Sequence, residues 1–351
     1  MTLLAKNIRY DNINGLRAFS AIGIAMMHYQ ANSKLAPDMG FVTSFLIPWF
    51  TNLVFLFLIV SSFSVCCGYY ERMKTGSISL NDFYSKRYWR ILPFFAFLSV
   101  IDVILNFSKI SLAQGFMNCT LVFNLLPKSN FDVIGVGWFI GLIFLFYMLF
   151  PFFVFLIDNK ARAWGVFIIS LIINFLCQEY FFTESVINWN PGRINILYSA
   201  AFLIAGGLCF LYKDLLHDIA ARLGNWLLII CIAANILYFF VPQSKWTLHY
   251  VIPMLVVCSL WLIYAIGNKH KWMQNSVINF LSNISLEIYL CHMIFFRIVE
   301  KLNLENYIDD ANIYYLVVCV IGIGATVIFS YYAKKVIGIL TSAVMKRHAL
   351  R

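Results

Sequence analysis

Apolar stretches of about twenty residues follow one another from residue 13 to residue 333, with only short polar links between them. A helix of about twenty apolar residues covers the ~30 Å hydrocarbon core of a bilayer. The longest piece between convincing apolar runs is about thirty residues, well under the ~50 residues of a small domain. Of the 351 residues, 62% are hydrophobic and 12% charged, against about half and about a quarter in a soluble domain. The expected fold is therefore all-α: a polytopic membrane protein of about ten transmembrane helices. It is expected to form a single integral-membrane domain over 1–351 with no appended soluble domain. A short basic head (Lys6, Arg9, Arg17) leads into the first run without a small-residue cleavage site, so the first helix is expected to be retained.

The expected helices run over 13–31, 41–70, 88–106, 138–157, 164–182, 194–212, 226–241, 247–266, 277–298 and 312–333. The second is too long for one straight span, so its start is expected to be interfacial or tilted. Residues 111–127 are only weakly apolar and read as a short re-entrant or surface helix. With the N-terminus inside, 19 of the 26 lysines and arginines fall on cytoplasmic pieces. The positive-inside rule then places both termini in the cytoplasm. The net charge of +10 thus reports topology, and no nucleic-acid partner is expected. Nine cysteines, most of them inside apolar runs, show no CxxC or Cys/His ligand spacing, so no metal site is expected.

Arg17 and His28 lie in the first run, eleven residues apart. Eleven steps of about 100° close nearly three turns, which puts both side chains on one helix face, roughly 16 Å apart along the axis. Ionisable groups inside a membrane are costly and usually functional. One can sit at a surface and the other near mid-bilayer on the same wall of a cavity. A lone intramembrane histidine is also a common packing residue; as a functional group it is a general base.

Lys86, Arg87 and Arg90 open the third span, with Arg87 and Arg90 three residues apart and so neighbours on a helix. With Arg17 they make a compact cationic patch. Guanidinium forks bind phosphate oxygens bidentately, although the positive-inside rule and anionic lipid headgroups account for such a cluster equally well. Trp138 reads first as an interfacial anchor and Tyr147 as a packing residue. Glu287 and His292 share the ninth span, but five residues put them about 140° apart, so a direct pair is not expected. Asp102 in the third span is expected to pair with a basic group on a neighbouring helix or to snorkel outward.

Together these segments resemble the membrane-bound acyltransferase 3 family, which includes bacterial O-acetyltransferases of surface polysaccharides and lipopolysaccharide. Gly15-Leu16-Arg17 followed by His28 resembles the family's first-helix Arg/His motif. Phe57 to Phe63 resembles a phenylalanine-rich run ending Ser-Gly-Phe, with Ser62 where glycine is usual. Arg87 to Pro93, Trp138 to Pro151 and Ser285 to His292 resemble three further family segments. Many members carry a glutamate five residues after the tryptophan; here that position is Ile143, and Asp102 and Glu287 are the replacement candidates.

The resemblance implies transfer of an acyl group, acetyl above all, from acyl-CoA at the cytoplasmic face to a hydroxyl of a surface or lipid-linked glycan. It also implies the bacterial cytoplasmic (inner) membrane and its lipids as surroundings, and acetyl-CoA as a substrate rather than a tightly bound cofactor. Arg17, Arg87, Arg90 and Lys86 would hold the polyanionic end of CoA. His28 would act as general base or transient acyl carrier. Ser61, Trp138 or Tyr147 would donate to the developing oxyanion, with His292 as a further supporting residue. The rival reading is a transporter or flippase of an anionic or lipid-linked substrate. It calls for inverted repeats and matching broken helices, which the sequence does not display.

Overall fold

The computed structural model describes residues 10–121, 123–125, 135–181, 192–240 and 248–349. It is helical throughout, with no strand among the described residues. In order the α-helices are α1 (Ile13–Ala31), α2 (Ile47–Trp49), α3 (Leu53–Lys74), α4 (Leu80–Leu105), α5 (Lys109–Thr120), α6 (Trp138–Ile157) and α7 (Lys160–Leu176). There follow α8 (Ile196–Leu211), α9 (Lys213–Leu223), α10 (Asn225–Phe239), α11 (Leu248–Gly267), α12 (Ser276–Asn283), α13 (Ser285–Glu300) and α14 (Ala311–Ala349).

Among the described residues three helical segments are long and apolar enough to cross a membrane: Val42–Lys74, Trp138–Ile157 and Ala311–Ser342. Two bent pairs, α8 with α9 and α12 with α13, raise the number to five if each is one span. Residues 225–239 and 251–267 are shorter apolar helices. The remaining expected spans fall on helices such as α1 and α4, whose apolar length is interrupted by Arg17 and by Lys86, Arg87 and Arg90. The protein is an integral membrane protein by its apolar helices.

Local chemistry explains the departures from the expected boundaries. Val42–Lys74 is one run of 33 residues, about 50 Å at 1.5 Å per residue. Its start is irregular, a π turn before α2 and a 3-10 turn after it, where Pro48 removes a backbone donor. α4 begins eight residues before the apolar run because the Ser79 side chain caps it, accepting from the Asp82 amide at 3.0 Å. α5 has 12 residues, about 18 Å, too short to cross; residues 122, 126 and 127 of the expected 111–127 element lie outside the described residues.

The expected ninth span is broken at Ile284, where α12 and α13 meet at 73°. No proline or glycine marks the break. A bend frees carbonyls that lipid cannot satisfy, and here side chains take them: Ser285 Oγ donates to the Ser282 carbonyl at 2.9 Å and Lys334 Nζ to that of Asn283.

α3 is the central strut, packed on α8, α1, α11 and α6. Helix association in a membrane depends on close packing and small residues rather than on hydrophobic burial. The α3–α8 seam follows that rule: Phe55 stacks on Phe202 at 4.2 Å, and Ser62 Oγ donates to the Leu203 carbonyl at 2.6 Å. A Cβ on Gly206 would run into the Ile59 carbonyl oxygen and stand 2.8 Å from Ser62 Cβ. Gly206→Ala is therefore expected to destabilise by about 1–3 kcal/mol, the cost of overpacking a filled seam. A lowered melting temperature of the purified protein in detergent would register it; an unchanged one would show that the seam gives way.

Candidate active site

The structure brings Arg17, Arg87 and Arg90 to one cavity. Arg17 comes from the first turns of α1, Arg87 and Arg90 from one face of α4. They line a cavity of about 210 Å³ with Ser61, Ser64, Ile143 and Tyr147 on α3 and α6. Arg17 Nη2 donates to Ser64 Oγ at 2.7 Å. The Arg87 guanidinium lies over the Tyr69 ring at 4.3 Å and the Tyr147 ring at 5.4 Å, and its buried Nε has no hydrogen-bond partner. Among the described residues no carboxylate pairs with any of the three arginines. Arg17 and Arg87 are half-buried and Arg90 is exposed, so the three guanidinium groups present unpaired positive charge to whatever enters the cavity.

A second cavity of about 380 Å³ shares Arg17, Arg90, Ser285 and Leu286 with the first and extends towards α14. Glu287 and Lys334 line it and pair at 3.1 Å, with Glu287 almost fully buried. Glu287 is thus spent on Lys334, and it does not meet His292, as expected from their angular separation.

Four of the expected site residues line neither cavity. Lys86 is exposed and lines neither cavity, because one helical step turns it about 100° from Arg87. Asp102 pairs with no cation among the described residues; its Oδ1 accepts from Asn106 Nδ2 at 3.0 Å near the end of α4, away from both cavities. Trp138 lies off the cavity wall, with the Arg193 guanidinium 5.4 Å from its ring centre; Arg193 is tied to Thr51 Oγ1 at 2.7 Å. His28 does not line the cavity that Arg17 lines.

Phe57, Phe139 and Tyr289 stand between them. Their rings touch one another at centroid distances of 5.3–6.3 Å, and all three line the first cavity. The Tyr289 hydroxyl donates to the Val136 carbonyl at 2.9 Å, which fixes this aromatic wall to the start of α6. Behind it Tyr289 is 6.1 Å from the His292 ring. His292 Nε2 lies 3.0 Å from His28 Nδ1, and the two rings stack at 5.0 Å. His292 is sealed from solvent and His28 is only half-buried, so of the two only His28 has an accessible edge.

Sequence reasoning missed the aromatic wall as a unit, Ser64 as the Arg17 partner, and Arg193. The Phe57 run was visible; its meeting with Phe139 and Tyr289 joins three distant segments and leaves no local signal.

An arginine-lined cavity can hold an anion, and a pair of hydrogen-bonded imidazoles can exchange a proton. The profile of the acyltransferase 3 family, described as an acyltransferase domain, matches residues 10–332, nearly the whole chain, and the chain belongs to that family. By family it is an acyltransferase. No curated protein and no solved structure matches it.

Proposed function

We propose that the protein transfers an acetyl group from acetyl-CoA, taken up at the cytoplasmic face of a bacterial inner membrane, to a hydroxyl of a cell-surface or lipid-linked glycan. The observation that carries this reading is the cavity with three arginines and, among the described residues, no carboxylate paired with them. Phosphate and pyrophosphate groups match guanidinium forks, and a CoA nucleotide supplies them at the end of a long thin arm. Arg17 and Arg90 border both cavities, so they would grip that end while the pantetheine arm runs towards the aromatic wall.

In this mechanism the acceptor hydroxyl gives its proton to His28 as its oxygen attacks the thioester carbonyl. The tetrahedral intermediate expels CoA thiolate, which takes the proton back from the imidazolium, leaving an ester and free CoA thiol. Ser61 and Tyr147 line the cavity and are the candidates to donate to the carbonyl oxygen on the approach side. For the chemistry to meet, the thioester must pass Phe57, Phe139 and Tyr289, so that wall would move when the donor binds.

O-acetyl analysis of surface glycans tests the acceptor class. Cells lacking the protein are expected to lose a defined O-acetyl group that returns on complementation. An unchanged O-acetyl content would remove the glycan from the proposal.

A further inference from the structure

We infer that His292 is a positioning residue that holds His28 as the Nδ1–H tautomer and leaves Nε2 of His28 bare as the proton-accepting atom. The inference rests on the reading of His28 as the base and supplies what that reading lacks, a hydrogen-bond partner for the imidazole.

The argument runs along hydrogen-bond polarity. His292 Nδ1 lies 2.8 Å from the Tyr289 carbonyl oxygen and 3.3 Å from that of Ile288. Carbonyl oxygens only accept, so Nδ1 of His292 carries the hydrogen. In a neutral imidazole the other nitrogen, Nε2, is then an acceptor. His28 Nδ1 faces that acceptor at 3.0 Å and must donate to it. The remaining nitrogen of His28, Nε2, therefore holds a lone pair. A second-sphere partner that selects the tautomer of a catalytic histidine is the usual device for keeping the reactive nitrogen in the right state. When His28 takes the hydroxyl proton, its Nδ1–H stays bonded to His292 and the imidazolium keeps one satisfied donor.

His292 is itself held rigidly. The Tyr29 hydroxyl donates to the His292 carbonyl at 3.0 Å and lies 3.5 Å from Thr326 Oγ1. A Cβ at Gly322 would stand 2.6 Å from the Tyr29 ring, so glycine there lets α14 press Tyr29 into place. Tyr29 directly follows His28 in α1; the same helix thus carries the base and the group that clamps the partner of the base.

The test compares His292→Phe with His292→Gln in membranes supplied with labelled acetyl-CoA and their own glycan acceptor. Phenylalanine fills the space without an acceptor; glutamine places a carbonyl oxygen near the Nε2 position. His292→Phe is expected to lower kcat about 10²-fold, the scale of lost general-base catalysis, with the KM for acetyl-CoA unchanged. His292→Gln is expected to recover most of that loss. Wild-type kcat in His292→Phe, or a His292→Gln variant as slow as His292→Phe, overturns the assignment. A second readout does not need turnover: 15N NMR of histidine-labelled protein, with His28 assigned through His28→Gln. It is expected to show His28 protonated at Nδ1 and bare at Nε2, and the opposite tautomer overturns the inference. If turnover proves independent of His28, the base assignment fails while this spectrum still judges the tautomer.

Discussion

His28→Ala is expected to lower acetyl transfer by about 10²–10⁴-fold, about 3–5 kcal/mol of transition-state stabilisation, with expression and membrane insertion intact. The size follows from the role. An alcohol is a poor nucleophile until a base takes its proton, and His28 carries the accessible edge of the histidine pair while His292 is sealed. The fold should tolerate the change, because His28 is half-buried and its loss leaves His292 Nδ1 still bonded to the Tyr289 carbonyl. Donor binding should also persist, since Arg17, Arg87 and Arg90 lie on the other side of the aromatic wall. Rates measured against acetyl-CoA concentration should therefore show kcat falling and KM holding. A variant with full activity would exclude His28 as the base.

Arg87→Ala combined with Arg90→Ala is expected to raise the acetyl-CoA KM, and the Kd for CoA, by at least about 10²-fold, since each charge-assisted hydrogen bond contributes about 1.5–3 kcal/mol. Neither arginine has a carboxylate partner to leave behind among the described residues, so the loss should fall on the ligand rather than on the fold. Arg87→Lys should recover only part of it, because an ammonium keeps the charge but not the planar fork or its stacking on Tyr69 and Tyr147. Calorimetric titration with CoA measures this directly. Unchanged CoA affinity in the double variant would reduce the patch to a topological signal.

Much of this site was legible because it is local. Arg87 and Arg90 sit three residues apart on one helix, so their shared face can be counted, while Arg17 was expected beside them from the clustering of basic residues at helix starts. The first and sixth helices, Ile13–Ala31 and Trp138–Ile157, start and stop where their apolar runs do. The extra turns at the start of α4 had a readable signal too, the Ser79 cap with Asp82 three residues on. What stayed hidden is long-range. His28 and His292 are 264 residues apart in sequence, and only the packing of α1 on α13 joins them. The same-face rule for Arg17 and His28 was sound as helical geometry, yet it could not show that Phe57, Phe139 and Tyr289 fill the space between them.

The broken ninth span was hidden for a related reason. Its freed carbonyls are satisfied partly by Lys334 from α14, and Glu287 is neutralised by the same lysine. Neither residue signals the bend on its own. Ser62, which replaces the usual family glycine, is explained by direction: it turns to the Leu203 carbonyl in α8, while its neighbour Ser61 faces the cavity. Ile143 stands on the cavity wall, where a glutamate would neutralise part of the arginine charge. Its absence leaves the cavity more cationic.

The most direct measurement supplies acetyl-labelled CoA to membranes containing the wild-type protein or His28→Ala. The account predicts alkali-labile label in the glycan fraction, with free CoA released in equal amount, for the wild type and neither for His28→Ala. Equal labelling in both, or none in either with the acceptor present, would contradict it.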